Sequence, residues 1–166
     1  VGSEMCIRDS NSSNMNEIVR YDLSTQNSGE WTTIAKVNEA NQRGGVAFVV
    51  EDKVYAGLGE KSNGIRNGFY VSSDSLTKWE LIPSIPAQLG VISSGVYDEQ
   101  KKSFFMIDND GKIWEYNLTT EQWTSRSLWI RMKNYHMFML DGSIYILGQD
   151  IYQKNKFTVY NPIWDN

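Results

Sequence analysis

Short apolar runs separated by polar turns follow one another along almost the whole chain. The runs are rich in Val, Ile, Tyr, Phe and Trp, and Gly, Asn, Asp and Ser separate them; this is the composition of short strands joined by turns. Asp141-Gly142 between two apolar runs is a strong hairpin signal. No window of about 12 residues keeps a 3.6-residue apolar period. The pattern therefore predicts strands and no helix.

The runs group into units of four predicted strands. In each unit the second run ends in an aromatic residue (Tyr55, Phe105 or Tyr145), the third carries a tyrosine and the fourth a tryptophan. The Tyr and Trp positions of successive units are Tyr21 and Trp31, Tyr70 and Trp79, Tyr116 and Trp123, and Tyr160 with Trp164. The tyrosines recur every 44 to 49 residues, and a steady period of this size indicates a repeat protein. We expect the repeated aromatic residues to be structural and to pack between units.

These motifs resemble the kelch repeat. YNLTTEQW at 116–123 and YDLSTQNSGEW at 21–31 are similar to its Tyr-Asn or Tyr-Asp strand with the following Trp, and VYAGLG at 54–59 resembles its double-glycine strand. The resemblance implies an all-β fold, a galactose-oxidase-like β-propeller of four-stranded antiparallel blades. The third unit departs from the family pattern, because Ile107-Asp108-Asn109 stands where the glycine pair is expected.

One turn also resembles a motif of a second propeller family. SSDSLTKW at 72–79 is similar to the Asp-box of sialidase-type propellers, with Leu76 in place of its glycine and Lys78 in place of its threonine. Both resemblances imply a propeller.

The length of the chain predicts an incomplete ring. At about 45 residues per blade, residues 15–166 hold about three and a half blades, with blade ends near 35, 83 and 127, whereas kelch rings typically have six or seven. We expect 15–166 to be a partial propeller, a fragment whose remaining blades are missing. Because each blade buries a face against the next, the end blades would expose apolar faces. Residues 1–10 resemble adapter-derived sequence from metagenomic reads, so 1–14 are expected to be a non-native or disordered tail.

Charge and cysteine content exclude several partners. The net charge is −4 and the pI is about 5.0, which disfavours nucleic-acid binding because that needs clustered Lys and Arg. Cys6, the one cysteine of the sequence, lies in the tail, so we expect no disulfide and no thiolate metal site. No apolar run predicts membrane insertion. An exported location, periplasmic or at the cell surface, is slightly favoured over the cytoplasm.

The chain offers little for catalysis. His136 is the single histidine and is expected to be a wall residue of an inner strand. Copper-radical chemistry therefore lacks its ligands, and a Ser–His–Asp triad lacks its nucleophile elbow. DNDG at 108–111 resembles part of a calcium loop, but Thr119 stands where an EF-hand needs Glu, and a tight turn is favoured. We expect no catalytic residue, no metal and no cofactor in this segment.

Recognition by loops remains. In kelch-like blades the loops joining the second strand to the third, and one blade to the next, share one face; here they are 58–67, 83–90, 108–111, 127–134 and 149–155. Exposed Trp and Arg are enriched at binding hot spots, and loops on a rigid scaffold commonly carry function. The candidate binding residues are Arg43, Lys61, Arg66, Asn67, Trp129, Arg131 and Asp150.

The sequence therefore predicts a non-catalytic binding or scaffold module that recognises a protein or a glycan through one propeller face. The alternative is a sugar-active propeller enzyme, a kelch-type sialic acid mutarotase or a sialidase-like hydrolase, whose site would be completed by the missing blades. In that case Arg43, Arg66 and Arg131 are the candidates for binding a carboxylate.

Overall fold

The structure is a computed structural model that describes residues 17–22, 30–36, 42–43, 45–61, 68–73, 76, 78–129, 132–150 and 152–161. For 17–22, 30–31, 34–36, 42–43, 61 and 127–129 only the backbone is described. The tail 1–14 lies outside the described residues, and so do Arg66, Asn67, Arg131 and Trp164.

Strands and turns make up the described part of the chain, which contains no helix and hence none able to cross a membrane. The strands are β1 (Glu17–Asp22), β2 (Glu30–Lys36), β3 (Gln42–Arg43), β4 (Val46–Val50), β5 (Lys53–Gly57), β6 (Glu60–Lys61), β7 (Phe69–Ser72), β8 (Trp79–Leu81), β9 (Ile92–Asp98), β10 (Ser103–Asp108), β11 (Lys112–Asn117), β12 (Gln122–Trp129), β13 (Lys133–Leu140), β14 (Ser143–Gln149) and β15 (Asn155–Tyr160).

The chain divides into two compact units after Ile82. Unit 1, residues 1–82, contains the pairs β1-β2 and β3-β6 and a four-stranded sheet in the order β4-β5-β7-β8. Unit 2, residues 83–166, contains the four-stranded sheet β9–β12 and the three-stranded sheet β13–β15, both in chain order. All the pairings are antiparallel. The predicted all-β architecture of four-stranded antiparallel sheets is confirmed.

The recurring Tyr and Trp lie on two paired strands, which in the four-stranded sheets are the third and the fourth. Tyr21 lies opposite Trp31, and Tyr116 lies opposite Trp123 with their ring centres 4.8 Å apart. In unit 1 the register differs, because Trp79 lies opposite Ser72, two residues from Tyr70. For Tyr116 and Trp123 the sequence repeat thus corresponds to a cross-strand aromatic pair, a contact that stabilises a sheet.

A row of aromatic rings crosses the whole sheet β9–β12. Phe104 lies opposite both Tyr97 and Tyr116, with ring centres at 5.3 Å and 6.4 Å, and Trp123 ends the row. Phe104 and Tyr116 are buried, and Trp123 is half-buried. The row joins all four strands on one face.

The other face of β9–β12 packs against the sheet β13–β15. Their shared core consists of Val96, Phe105, Ile107, Ile113, Tyr135, Met137, Ile144, Ile146 and Tyr160. The amide of Met137 also donates a hydrogen bond to Ser94 Oγ, at 2.9 Å, across the two sheets. Every residue of β10 is buried, which explains its continuous apolar run Phe104–Ile107, since a strand covered on both faces has no polar alternation.

A buried carboxylate organises the turn at 108–111. Asp108 is 1% exposed. Its Oδ1 accepts hydrogen bonds from the amides of Asp110 (3.1 Å) and Lys112 (2.9 Å), and its Oδ2 accepts one from Trp114 Nε1 (2.9 Å). The segment is therefore a tight turn whose carboxylate serves the protein's own donors.

Asn117 connects the two hairpin turns of the same sheet. Its Oδ1 accepts from the amides of Thr119 and Thr120, and its Nδ2 donates to Ser103 Oγ at 3.0 Å and to the carbonyl of Lys101 at 3.2 Å. The Asn of the Tyr-Asn motif thus holds the β11–β12 turn against the β9–β10 turn, a side-chain role that Asn commonly takes in turns.

Ser73 closes the turn that resembles an Asp-box. Its carbonyl accepts from the amide of Leu76 at 2.9 Å, and its Oγ accepts from the amide of Lys78 at 3.3 Å. Leu76 has a φ of 58°, a left-handed conformation that favours glycine. Leucine therefore occupies the position of the Asp-box glycine at a cost of about 1 kcal/mol.

We predict that Asp108→Ala lowers the free energy of unfolding by about 3 kcal/mol, because it leaves a buried indole donor and two partly buried amide donors without their acceptor. Asp108→Asn should cost less, since one side-chain oxygen remains for the two amides. Urea unfolding followed by circular dichroism measures both changes. Glu99→Ala, which removes an exposed turn carboxylate, is the control. Equal stability of Asp108→Ala and Glu99→Ala would contradict the assigned role.

Tyr135 predicts a pH dependence of stability. Burial raises the pKa of its hydroxyl and the nearby Asp108 and Asp110 raise it further, although the Met132 amide donates to the Tyr135 oxygen, at 3.1 Å, and acts in the opposite direction. A tyrosine with a raised folded-state pKa contributes stability that is complete below its unfolded pKa of about 10 and is lost as the pH rises through the folded value.

In urea titrations at a series of pH values, we expect Tyr135→Phe to lower the free energy of unfolding by about 1 kcal/mol near pH 8, because phenylalanine has no oxygen to accept the hydrogen bond from the Met132 amide. The deficit should shrink above about pH 10. A deficit that stays constant to pH 11 would show that Tyr135 does not titrate differently in the folded protein.

Candidate functional site

A pocket lies on the sheet β13–β15, at the edge where β13 begins and β14 ends. Its volume is about 300 Å³, and it is lined by Asn134, His136, Leu147, Gly148, Gln149, Asn155 and Lys156. All three strands contribute, because Gln149 lies opposite both Lys133 and Asn155 in the sheet.

Strand alternation places the polar side chains there. In β13, Tyr135 and Met137 are buried, while the intervening His136 is exposed, as expected for a strand with one covered face. The register of β13 shifts between Lys133 and His136, and Asn134 has a φ of 55°. An irregularity of this kind redirects a side chain, and here Asn134 Nδ2 donates to Gln149 Oε1 at 3.1 Å.

Gly148 allows β13 to approach closely beside the pocket. A Cβ atom at this position would lie 3.0 Å from the carbonyl oxygen of Lys133 and 3.1 Å from Cβ of Met132. A larger residue would therefore push the start of β13 away from β14.

Asp150 holds the loop that borders the pocket. Its Oδ1 accepts from the amides of Tyr152 (2.9 Å) and Lys154 (3.0 Å), and its Oδ2 lies 3.7 Å from Nζ of Lys156. The loop is also closed by hydrogen bonds from the Asp150 amide to the Lys154 carbonyl and from the Gln153 amide to the Asp150 carbonyl, both at 2.9 Å. The loop is thus a tight turn, and its carboxylate keeps Lys156 beside the pocket.

The donor and acceptor set of the pocket suits a hydroxylated ligand. The amides of Asn134, Gln149 and Asn155 can both donate and accept, Lys156 donates only, and the His136 ring does either according to its protonation. The described lining contains no carboxylate. Among the described residues, no three His, Cys, Asp or Glu side chains lie together in a way that could hold a metal ion.

The candidate binding residues of the sequence are distributed over both units. Asp150 lies beside the pocket, in unit 2. Arg43 in β3 lies opposite Glu60, and Lys61 in β6 lies opposite Gln42, both in unit 1, and their side chains are outside the description. Arg66, Asn67 and Arg131 fall outside the described residues.

Two loop expectations were wrong. Trp129, expected in the loop 127–134, is the last residue of β12 and lies opposite Lys112, so strand pairing continues two residues beyond the expected blade end near 127. The expected loop 58–67 contains a two-residue strand, since β6 (Glu60–Lys61) pairs with β3. In β6, Glu60 and Lys61 have low strand propensity and are held in a strand by a partner that the local sequence does not reveal.

Sequence reasoning missed most of the pocket. Asn134, Gln149, Asn155 and Lys156 were not candidates, and His136 was considered only as a wall residue. The available signal was the alternation of β13, in which polar Asn134 and His136 are separated by the buried Tyr135.

Neither a protein-family model nor a curated protein sequence matches the chain. Solved structures do match. The first is in a nidogen/laminin complex, with 12% identity over 91% of this chain and 57% of that chain and a TM-score of 0.58. YjhT matches with 10% identity over 86% of this chain and 59% of its own, at a TM-score of 0.61. A structural genomics protein of unknown function from Bacteroides thetaiotaomicron matches with 15% identity over 86% of this chain and 40% of its own, at a TM-score of 0.53.

Identities this low establish the fold alone. Together with the four-stranded antiparallel sheets, the matches confirm a β-propeller. The chain spans 57% and 59% of the length of the first two structures. The kelch type and the number of blades remain predictions.

Proposed function

We propose that this propeller is a binding module without catalytic activity, and that the pocket of β13–β15 binds a glycan. The observation that carries the proposal is the concentration of three side-chain amides, an imidazole and an ammonium group around one cavity of about 300 Å³. A cavity of this size is at the lower end of those that hold small ligands, and fits one or two sugar rings.

Hydroxyl groups of a sugar both donate and accept, as amides do, so a small number of fixed amides can define their arrangement. The Asn134–Gln149 hydrogen bond orients two of the amides before the ligand arrives, which reduces the entropy lost on binding. Leu147 adds an apolar surface beside them, and the carbon face of a sugar can pack there.

The alternative, a sugar-active enzyme, needs an acid and a base at the reacting bond. Of the described side chains around the pocket, His136 is free to take such a role, whereas the carboxylate of Asp150 already accepts from two amides and faces Lys156. This arrangement favours binding over turnover. A protein ligand is the other candidate for the module, and the nidogen/laminin complex among the similar structures is a protein complex.

A glycan microarray followed by calorimetry with the tightest monosaccharide or disaccharide tests the proposal. We expect Asn155→Ala to weaken that sugar about tenfold, because it removes one or two hydrogen bonds worth about 1 kcal/mol each. Lys154→Ala, in the same loop but outside the pocket lining, is the matched control and should bind as the parent does.

The sugar should be recovered unchanged, with its anomer ratio relaxing at the uncatalysed rate by NMR. Faster relaxation or hydrolysis would establish the enzyme instead. Absence of any glycan ligand, or equal loss of affinity in Asn155→Ala and Lys154→Ala, would refute the pocket as a glycan site.

A further inference from the structure

Tyr152 is a large aromatic residue that is exposed to water beside the pocket. Its side chain is 76% exposed, the highest fraction among the large hydrophobic residues that the structure describes as exposed. It lies in the loop 150–154, which joins β14 to β15 and thus Gln149 to Asn155, two of the residues that line the pocket. The ring does not belong to the core of the two sheets, so the packing of the sheets does not account for it.

The position of Tyr152 in a loop distinguishes it from the exposed apolar residues of the strands. Sheets pack on one another through their faces, and loops project from the ends of the strands. The exposure of the Tyr152 ring is therefore a property of its own loop and does not depend on which surface packs on the sheet β13–β15.

Hydrogen bonds fix the backbone that carries the ring. The amides of Tyr152 and Lys154 donate to Oδ1 of Asp150, at 2.9 Å and 3.0 Å. Two backbone hydrogen bonds, from Asp150 to Lys154 and from Gln153 to Asp150, close the same turn at 2.9 Å. A tyrosine on a fixed backbone has only its side-chain torsions left to order, so little conformational entropy is lost when a ligand contacts it.

The closed turn also keeps the ring near the pocket. Gln149 lies opposite Asn155 in the sheet, and Tyr152 is the middle residue of the loop between them, three residues from each. Three residues span at most about 11 Å even when the chain is extended, and this loop is folded back on itself. A ligand held by Gln149 and Asn155 therefore reaches the ring when it extends from the pocket by about one or two sugar units.

The face of the ring complements the part of a sugar that the pocket amides do not bind. An aromatic ring carries negative charge density on its face, which attracts the weakly positive C–H groups of a sugar. Hydroxyl groups at the edge of a sugar ring instead need donors and acceptors such as Asn155 and Gln149. A sugar unit with equatorial hydroxyls presents only C–H groups on its faces and fits an aromatic face best, whereas an axial hydroxyl on that side keeps the two rings apart.

We propose that the ligand of the pocket is an oligosaccharide, and that Tyr152 stacks on the sugar unit that extends from the pocket. The stacked unit is one with equatorial hydroxyls, such as a β-linked glucose or N-acetylglucosamine. This inference rests on the proposed glycan binding and adds to it the ligand class and a second contact residue. The amides then hold one sugar by its hydroxyl groups, and the tyrosine adds affinity for any chain that is long enough to reach it.

Calorimetry over a series of chain lengths tests the second contact. The probes are glucose and N-acetylglucosamine, each as the monosaccharide and as its β-linked oligosaccharides of increasing length. With the full chain we expect at least one series to bind about tenfold more tightly as an oligosaccharide than as the monosaccharide, which is the contribution of one aromatic contact.

Substitution of Tyr152 should remove that gain and nothing else. In Tyr152→Ala we expect the oligosaccharides to bind about tenfold more weakly and the monosaccharide to bind as in the parent, because alanine keeps the amide that donates to Asp150. Tyr152→Phe should retain the gain, since stacking needs the ring and not the hydroxyl. Lys154→Ala, in the same loop and also exposed, is the matched control and should bind every probe as the parent does. Circular dichroism checks folding, and Tyr152→Ser replaces Tyr152→Ala if the latter is unfolded.

The outcomes for Tyr152 and Asn155 separate the second contact from the pocket itself. Equal weakening of the monosaccharide and the oligosaccharides in Tyr152→Ala would show that the residue only supports the loop, and unchanged oligosaccharide binding would show that the ring contacts no sugar. Affinities that do not rise with chain length in either series would overturn the proposal as well. The pocket remains a glycan site in all these cases if Asn155→Ala still weakens the monosaccharide. Loss of that dependence, or no binding of any sugar, would refute the proposed function and this inference together.

Discussion

The structure depends on one constraint, namely that each sheet of this fold has two apolar faces and a sheet cannot leave both in water. Burial of apolar side chains stabilises a fold by about 25 cal/mol per Å², and in unit 2 this burial occurs between β9–β12 and β13–β15. The residues of β10 show the consequence, because all of them are buried. The repeat then follows physically, since a sheet that covers its neighbour presents a second face that needs the same cover.

Polar groups fix the positions of the strands that this packing brings together. Asp108 accepts hydrogen bonds from three donors in the turn and in β11, and Asn117 joins two turns of the same sheet. Satisfied buried polar groups of this kind contribute specificity, because any other register would leave donors and acceptors unpaired. At the edge of β13–β15 the same kind of polar contact, between Asn134 and Gln149, instead lines an open pocket. Polar side chains at strand ends thus hold the turns of the sheet β9–β12 and line the pocket of the sheet β13–β15.

The fold could be read from the sequence because its signals are local. The Tyr116–Trp123 pair sits on one hairpin, and the spacing of such pairs reports the repeat directly. The pocket could not be read in the same way, because Asn134, Gln149 and Asn155 come from three strands and meet only through the register and an irregularity in β13. The prediction that Trp129 lies in a loop was wrong for a related reason. Its strand partner Lys112 is 17 residues away in the sequence, and no property of residues 127–134 indicates that pairing.

Native-state hydrogen exchange at low protein concentration measures most directly whether covered faces determine local stability. The account predicts the slowest exchange in β10 and β11, where all of β10 and most of β11 are buried. It predicts exchange at least about 100-fold faster in β15, whose side chains are mostly exposed. Equal protection of β15 and β10 in the monomer would contradict the claim that packing on both faces holds the sheets together.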